Sequence, residues 1–273
     1  MSLTASLFNS GLFKGGLFNG GLFNKQSTVS IVSLLFGAGE IGIIYDISNF
    51  LTMFQDSAGT TPVTAVAQPV GKILDISGNG YHATQATAAS RPVLRQDGSG
   101  YYYLEFDGVD DWLETDVIDF TSTDEISIFC GFSSTLASGT RGMLVNLEQA
   151  YPRRLAIDLN TTSTEIKSVA YGSLSPSPAS FIPSSYPIVI TALSKISTDT
   201  NIIRGNGVQQ ATSTGDQGTG TRPAAKIYLG TYSGGIRRYK GAIYSIIFRG
   251  ALSSADEILA AESYVAGKTG VTL

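Results

Sequence analysis

The chain has 273 residues, a formal net charge of −4, 42% hydrophobic and only 15% charged residues, and 31 glycines. This excludes a disordered chain and, with so much glycine and so little charge, favours many turns and short strands over long solvated helices. The acidic balance argues against nucleic acid as a direct partner, while a single cysteine (Cys130) rules out an intrachain disulfide and a single histidine (His82) leaves little material for a His-based metal site or a catalytic triad.

The chain opens on a five-residue repeat carrying Leu7-Phe8, Leu12-Phe13, Leu17-Phe18 and Leu22-Phe23, spaced by Asn, Ser, Lys and Gly. Five residues turn a helix by about 500° and flip faces on a strand, so neither element gathers these side chains on one side. Leu7, Phe8, Leu12, Phe13, Leu17, Phe18, Leu22 and Phe23 are therefore expected to bury themselves against a partner or against copies of the chain, with residues 1–39 serving as a docking and assembly arm. The alternatives are a flexible glycine-rich arm and one coil of the pentapeptide-repeat kind, too short to stand alone. Lys14 and Lys25 interleave with the Leu-Phe pairs, which argues against a cleaved secretion signal. Val29 to Tyr45 is interrupted by Glu40 and three glycines, so no membrane insertion is expected.

Within that stretch, Gly37-Ala38-Gly39-Glu40-Ile41-Gly42 matches a dinucleotide-binding spelling, yet Ile43, Ile44 and Tyr45 favour a strand where the motif needs a helix, and a glycine-rich turn is the preferred reading. From Gly71 onward, strands are predicted over residues 101–106, 126–132, 155–159, 188–193, 226–232 and 243–249, with a dense turn at Asp75 to Gly80. Pro176, Pro178, Pro183 and Pro187 mark an irregular loop, and Thr212 to Thr221 marks another. One helix is predicted near the end. Ser253 or Ser254 caps it, Asp256 and Glu257 occupy its first turn, Ile258, Ala261 and Val265 share a face, and Gly267 stops it. The predicted fold is all-β, an antiparallel two-sheet sandwich over residues 40–273.

Asp75-Ile-Ser-Gly-Asn-Gly-Tyr-His-Ala-Thr84, then Leu104-Glu-Phe-Asp-Gly-Val-Asp-Asp-Trp-Leu113, resembles the laminin G-like, concanavalin A-like jelly-roll family in its phage and bacterial branch. Tyr239-Lys-Gly-Ala-Ile-Tyr-Ser-Ile-Ile-Phe248 followed by Leu252-Ser-Ser-Ala-Asp-Glu-Ile258 resembles that family's closing strand and short helix. Ala38 to Asp46 and Leu51 to Val63 are similar to the lead-in found in tailed-bacteriophage proteins, although Ile47 departs from its pattern. The resemblance implies a non-enzymatic virion structural protein, a capsid decoration or a tail or fibre component assembled in the bacterial host cytoplasm. Its partners would be other virion proteins and further copies of itself in a homo-oligomer. Two alternatives follow: a host-surface glycan-binding module, and a glycan hydrolase on the same fold.

The residues that could carry such chemistry cluster in one stretch. Trp112, the only tryptophan, could stack on a sugar ring while Asp110 and Asp111 hold hydroxyls; a half-buried sheet residue is the competing reading. Glu105 and Asp107 share a strand face as alternate carboxylates of a β-glucanase-like site would. Asp107, Asp110 and Asp111 also form a Ca²⁺ candidate set, against the commoner role of carboxylates that cap a turn; the preferred expectation is no cofactor. His82 is expected to donate a hydrogen bond within its loop, and Asn160-Thr161-Thr162 is a glycosylation sequon by spelling alone.

Overall fold

A computed structural model describes residues 29–136, 140–147, 155–159, 165–171, 176–233 and 235–273. The arm residues Leu7 to Phe23 and the sequon at Asn160 lie outside the described residues. One compact unit runs from Ile31 to Leu273. It therefore begins before residue 40: Ile31–Phe36, read above as part of the arm, forms a short helix (α1) that buries Leu35 and Phe36.

In chain order the strands are β1 (Gly42–Asp46), β2 (Met53–Phe54), β3 (Lys72–Ile73), β4 (Ala83–Thr84), β5 (Val93–Gln96) and β6 (Tyr102–Asp107). Then come β7 (Leu113–Glu114), β8 (Ile118–Asp119), β9 (Glu125–Ser134), β10 (Gly142–Leu147), β11 (Leu155–Leu159), β12 (Ile166–Tyr171) and β13 (Pro176–Phe181). The set closes with β14 (Ile188–Lys195), β15 (Thr200–Gly205), β16 (Val208–Ser213), β17 (Ala224–Ala225), β18 (Ile227–Leu229), β19 (Lys240–Arg249) and helix α2 (Ala255–Thr269). Among the described residues one sheet follows the order β16-β15-β14-β9-β19-β6-β5, with β1 also paired to β19; we call it the front sheet. The back sheet follows β13-β12-β11-β10-β18-β7-β4-β3-β2. All pairings are antiparallel, as the alternating strand sequences predict.

The core lies between the sheets. On β9, Ile126, Ile128, Cys130 and Phe132 point into it, and β19 contributes Ile243, Ile246 and Phe248. A second apolar cluster occupies the opposite side of the front sheet, where Ile44, Phe129, Val189 and Ile247 pack under Ala261, Val265 and Ala266 of α2 and Leu35 and Phe36 of α1. Gly131 makes that approach feasible: a Cβ there would stand 2.1 Å from Thr269 Cγ2 and 3.0 Å from Val265 Cγ1. Buried charge fixes the helix as well. Glu262, 2% exposed, accepts from Arg204 Nε (2.7 Å) and Thr191 Oγ1 (2.7 Å) of the sheet.

Three sequence expectations need correction. Gly267 does not stop the helix; α2 continues to Thr269, and Gly270, with φ 71°, takes the left-handed cap. Ser254 is the N-cap, in a capping box with Glu257. The proline-marked segment begins as strand β13, tolerated because β13 is an edge strand and can spare the N–H that proline lacks. His82 accepts rather than donates: its Nδ1 receives the Asp75 N–H at 3.1 Å.

The motif that carries the family resemblance proves architectural. Asp75 Oδ1 accepts the Ile44 N–H of β1 (2.9 Å) and the Ser77 N–H (2.9 Å), while its Oδ2 accepts from Ser77 Oγ, Gly80 N and Tyr81 N. Asn79 Nδ2 donates to the Gly42 carbonyl, and the buried Tyr45 hydroxyl donates to the Tyr81 carbonyl at 2.6 Å. This turn therefore stitches the 75–84 loop to β1. The glycine-rich stretch Gly37 to Gly42 leads into that same strand, with no helix following it, so it lacks the helix N-terminus a pyrophosphate would need.

Candidate functional site

On the outer face of the front sheet, beside β6 and β19, lies a cavity. On β6 the period of two sends Leu104 and Phe106 into the core and Tyr103, Glu105 and Asp107 to the other side. On neighbouring β19, Ile243 pairs with Phe132 and Ser245 with Gly131, so Tyr244 is the extra residue of a β-bulge. Bulges re-aim side chains at the edges of binding sites. Here the bulge brings Tyr244 beside Tyr103, with ring centroids 5.3 Å apart and planes tilted by 47°.

These residues line a cavity of about 410 Å³ together with Asp97, Asp107, Ser133, Thr135, Lys240 and Gly241. Gly241 adopts φ 148°, and a Cβ there would stand 2.2 Å from the Ser133 carbonyl oxygen, so only glycine lets β19 and β9 approach this closely at the cavity wall. Beneath it the buried Tyr239 hydroxyl lies 2.8 Å from the Ser133 carbonyl and 3.2 Å from that of Ala242, which holds the floor rigid.

Polar groups converge on the two rings. Tyr244 Oη donates to Asp97 Oδ2 at 3.4 Å, and Arg95 Nε donates to Glu105 Oε2 at 2.7 Å in a solvent-exposed pair. Burial, with the Glu105 charge adding to it, raises the Tyr103 phenol above its ordinary value. Burial and Asp97 push Tyr244 up to about 12. Both phenols are therefore neutral at physiological pH; Tyr244, only 4% exposed, backs the half-buried Tyr103 ring, which offers the accessible aromatic face. Such a surface can cover the C–H face of a pyranose ring while the flanking carboxylates and lysine hold hydroxyls.

The sequence-derived candidates sit next to this cavity. Asp107, Asp110 and Asp111 each bring one carboxylate oxygen to within 4.8 Å of the others. Their hydrogen bonds shape a turn: Asp107 Oδ1 accepts from the N–H groups of Val109 (2.7 Å) and Asp110 (3.2 Å), and Gly108 takes φ 79°. Asp110 Oδ2 receives the Ser90 hydroxyl at 2.9 Å, and Asp111 Oδ2 the Asp107 N–H at 2.9 Å. Asp111, 6% exposed, is pushed up to about 6 by burial, followed by the charges of Asp107, Asp110 and Glu105. Trp112 is half-buried and tilts against buried Tyr228 with centroids 5.8 Å apart, and its carbonyl accepts from Gln85 Nε2. It is not among the residues lining the cavity, whereas Glu105 and Asp107 are. Tyr103 and Tyr244 were not singled out from sequence. The alternation of Tyr103, Glu105 and Asp107 along β6 was the available signal for one of them; the bulge that delivers the other leaves no mark in composition.

No family model matches the chain, and no curated protein matches it. Solved structures do. The binding domain of botulinum neurotoxin DC in complex with SialylT superposes with TM-score 0.56 at 11% identity, covering 86% of this chain and 52% of that one. The serotype D ligand binding domain in complex with N-acetylneuraminic acid gives 0.56 at 10% identity, covering 86% and 53%. The serotype D receptor binding domain gives 0.55 at 10% identity, covering 86% and 54%. This chain thus spans about half the length of these neighbours, and the likeness at such low identity is one of fold: a jelly-roll, concanavalin A-like β-sandwich.

Proposed function

We propose that the sandwich is a non-enzymatic carbohydrate-recognition module and that the groove around Tyr103 and Tyr244 is its binding site. The carrying observation is the bulge-positioned tyrosine pair set among Asp97, Glu105, Asp107 and Lys240 around the cavity beside β6 and β19. The fold neighbours are domains described as binding, ligand-binding or receptor-binding, one in complex with SialylT and another with N-acetylneuraminic acid, which supports recognition over turnover. Glu105 and Asp107 share a face as a hydrolase would require, but Glu105 is engaged by Arg95 and Asp107 by its own turn, an arrangement suited to holding a sugar.

The particle that carries the module is inferred from the sequence. Its resemblance to phage proteins and its repeated Leu-Phe arm support a virion component anchored through the arm ahead of α1, displaying the sandwich outward to a host-surface glycan. Displaying the purified chain on an array of host and bacterial glycans tests recognition: binding that is lost in Tyr103→Ala is expected, and binding unaffected by that change contradicts the site. Polysaccharide cleavage by the purified chain, lost in Glu105→Gln, would overturn the non-enzymatic reading. Deleting residues 1–26 is expected to abolish co-purification with particles while leaving glycan binding intact; retained co-purification would refute the anchor.

A further inference from the structure

The tyrosine-lined cavity does not end at Lys240. Thr135 and Lys240 are shared with an adjoining cavity of about 490 Å³, whose other lining residues are Gly108, Leu136, Thr140, Arg141, Arg237 and Arg238. Four of its walls' side chains are cationic and none of its described lining residues is acidic. Such one-signed lining in a chain of net charge −4 is not the average of the surface.

The four cations are not equally committed. Arg141 is spent on the buried Asp158 carboxylate in a two-pronged pair. Arg238 Nη1 donates to the Asp110 backbone carbonyl at 3.2 Å, and the Asp107, Asp110 and Asp111 carboxylates nearby offset part of its charge. Arg237 lies with its guanidinium 5.2 Å from the centre of the Tyr232 ring. Two of these guanidinium donors, Arg237 Nη1 and Arg238 Nε, are removed from solvent yet meet no acceptor. Lys240 pairs by backbone register with Asp107, and no side-chain hydrogen bond or ion pair involves its ammonium among the described residues. Arg237 also takes φ 56°, a left-handed backbone uncommon for a long side chain. Buried donors without acceptors carry a standing cost that an oxyanion entering the cavity would relieve.

We propose that this cationic annex receives an oxyanion substituent of the glycan, a carboxylate, sulfate or phosphate group, while the tyrosine-lined half takes the neighbouring ring. The inference rests on the glycan-binding reading of the groove and specifies its substrate class: acidic saccharides. The planar guanidinium fork suits each of these three oxyanions, so the chemistry of the anion is set by which sugars carry it. Lys240, at the junction, touches both halves.

The test is a glycan array of the full chain with neutral, carboxylated, sulfated and phosphorylated members, followed by calorimetry on the best anionic ligand and on its neutralised counterpart, the methyl ester or the desulfated or dephosphorylated sugar. The anionic form is expected to bind at least tenfold more tightly, with affinity falling as sodium chloride rises. Arg237→Asn, chosen because asparagine tolerates the left-handed backbone, is expected to erase that ratio while leaving the neutral sugar's affinity in place, and a thermal melt verifies its fold. A wild-type ratio near one, or a ratio unchanged in Arg237→Asn, overturns the annex while the groove reading stands. Binding to no glycan in any class overturns both.

Discussion

The outer face of the front sheet has two halves made from the same strands. Under α2, β9 presents Phe129 and Gly131 and β19 presents Ile247, and the contact is apolar and close. Further along, β9 presents Ser133 and β19 presents Ala242 and bulged Tyr244 at the wall of a groove; Tyr244 is 4% and Ala242 7% exposed, and the half-buried Tyr103 beside them is the more accessible ring. The difference lies in what the side chains require. Apolar groups in the first half need a cover, and α2 with its buried Glu262 ion pair supplies it; in the second half the Tyr244 ring is buried against Tyr103, and the half-buried Tyr103 with the hydroxyls and carboxylates around it tolerates water. The same backbone geometry thus gives a structural face and a face left open for a ligand.

Each half can be broken separately. In the covered half the largest effect is expected from Arg204→Ala, which leaves the Glu262 carboxylate buried without its cation; Arg204 is itself 22% exposed, so a loss of about 3 kcal/mol in urea unfolding is expected. Gly131→Ala is expected to cost about 1–3 kcal/mol by forcing α2 off the sheet at Thr269. A neutral result there would mean that the helix is not seated as described.

Between the halves, Asp111 gives a pH signature. Its carboxyl is raised to about 6 by burial, so the folded state holds a proton that the unfolded state, near 3.8, has released. Its contribution therefore opposes folding at neutral pH, and that penalty fades as pH falls through 6 towards 4. Asp111→Asn, which keeps an acceptor for the Asp107 N–H, is expected to stabilise the protein by about 1–2 kcal/mol at pH 7 and to gain nothing at pH 4, measured by denaturant unfolding at each pH. Equal effects at both pH values would show that Asp111 is not the titrating group.

In the open half, Tyr103→Ala should change stability by about 1 kcal/mol or less, because the ring is only partly buried and its contact with Tyr244 is tilted. Its main effect is expected on ligand binding.

Much of the sandwich was legible from residue patterns. The alternation Ile126, Ile128, Cys130, Phe132 placed β9 correctly, and the Ser254-to-Glu257 spacing announced the start of α2. The end of α2 was misjudged because Gly267 resembles a stop, yet its position has open space and costs the helix only propensity; Gly270 holds the conformation that ends it. The proline-containing strand was missed because edge position, which makes proline acceptable, is a property of the assembled sheet. The same limit applies to the site. Asp107, Asp110 and Asp111 stood out because they are close in sequence, whereas Tyr103 and Tyr244 meet only through the pairing of β6 with β19 and a one-residue bulge.

The central claim is that ligand binds on the open half of the front sheet, and amide chemical-shift mapping of the isotope-labelled chain against the best array glycan tests it most directly. The predicted result is perturbation concentrated at Tyr103, Glu105, Asp107, Ser133 and Tyr244, with Trp112 and the residues under α2 unmoved. Perturbation centred on Trp112 and Tyr228, with the tyrosine groove silent, would contradict it.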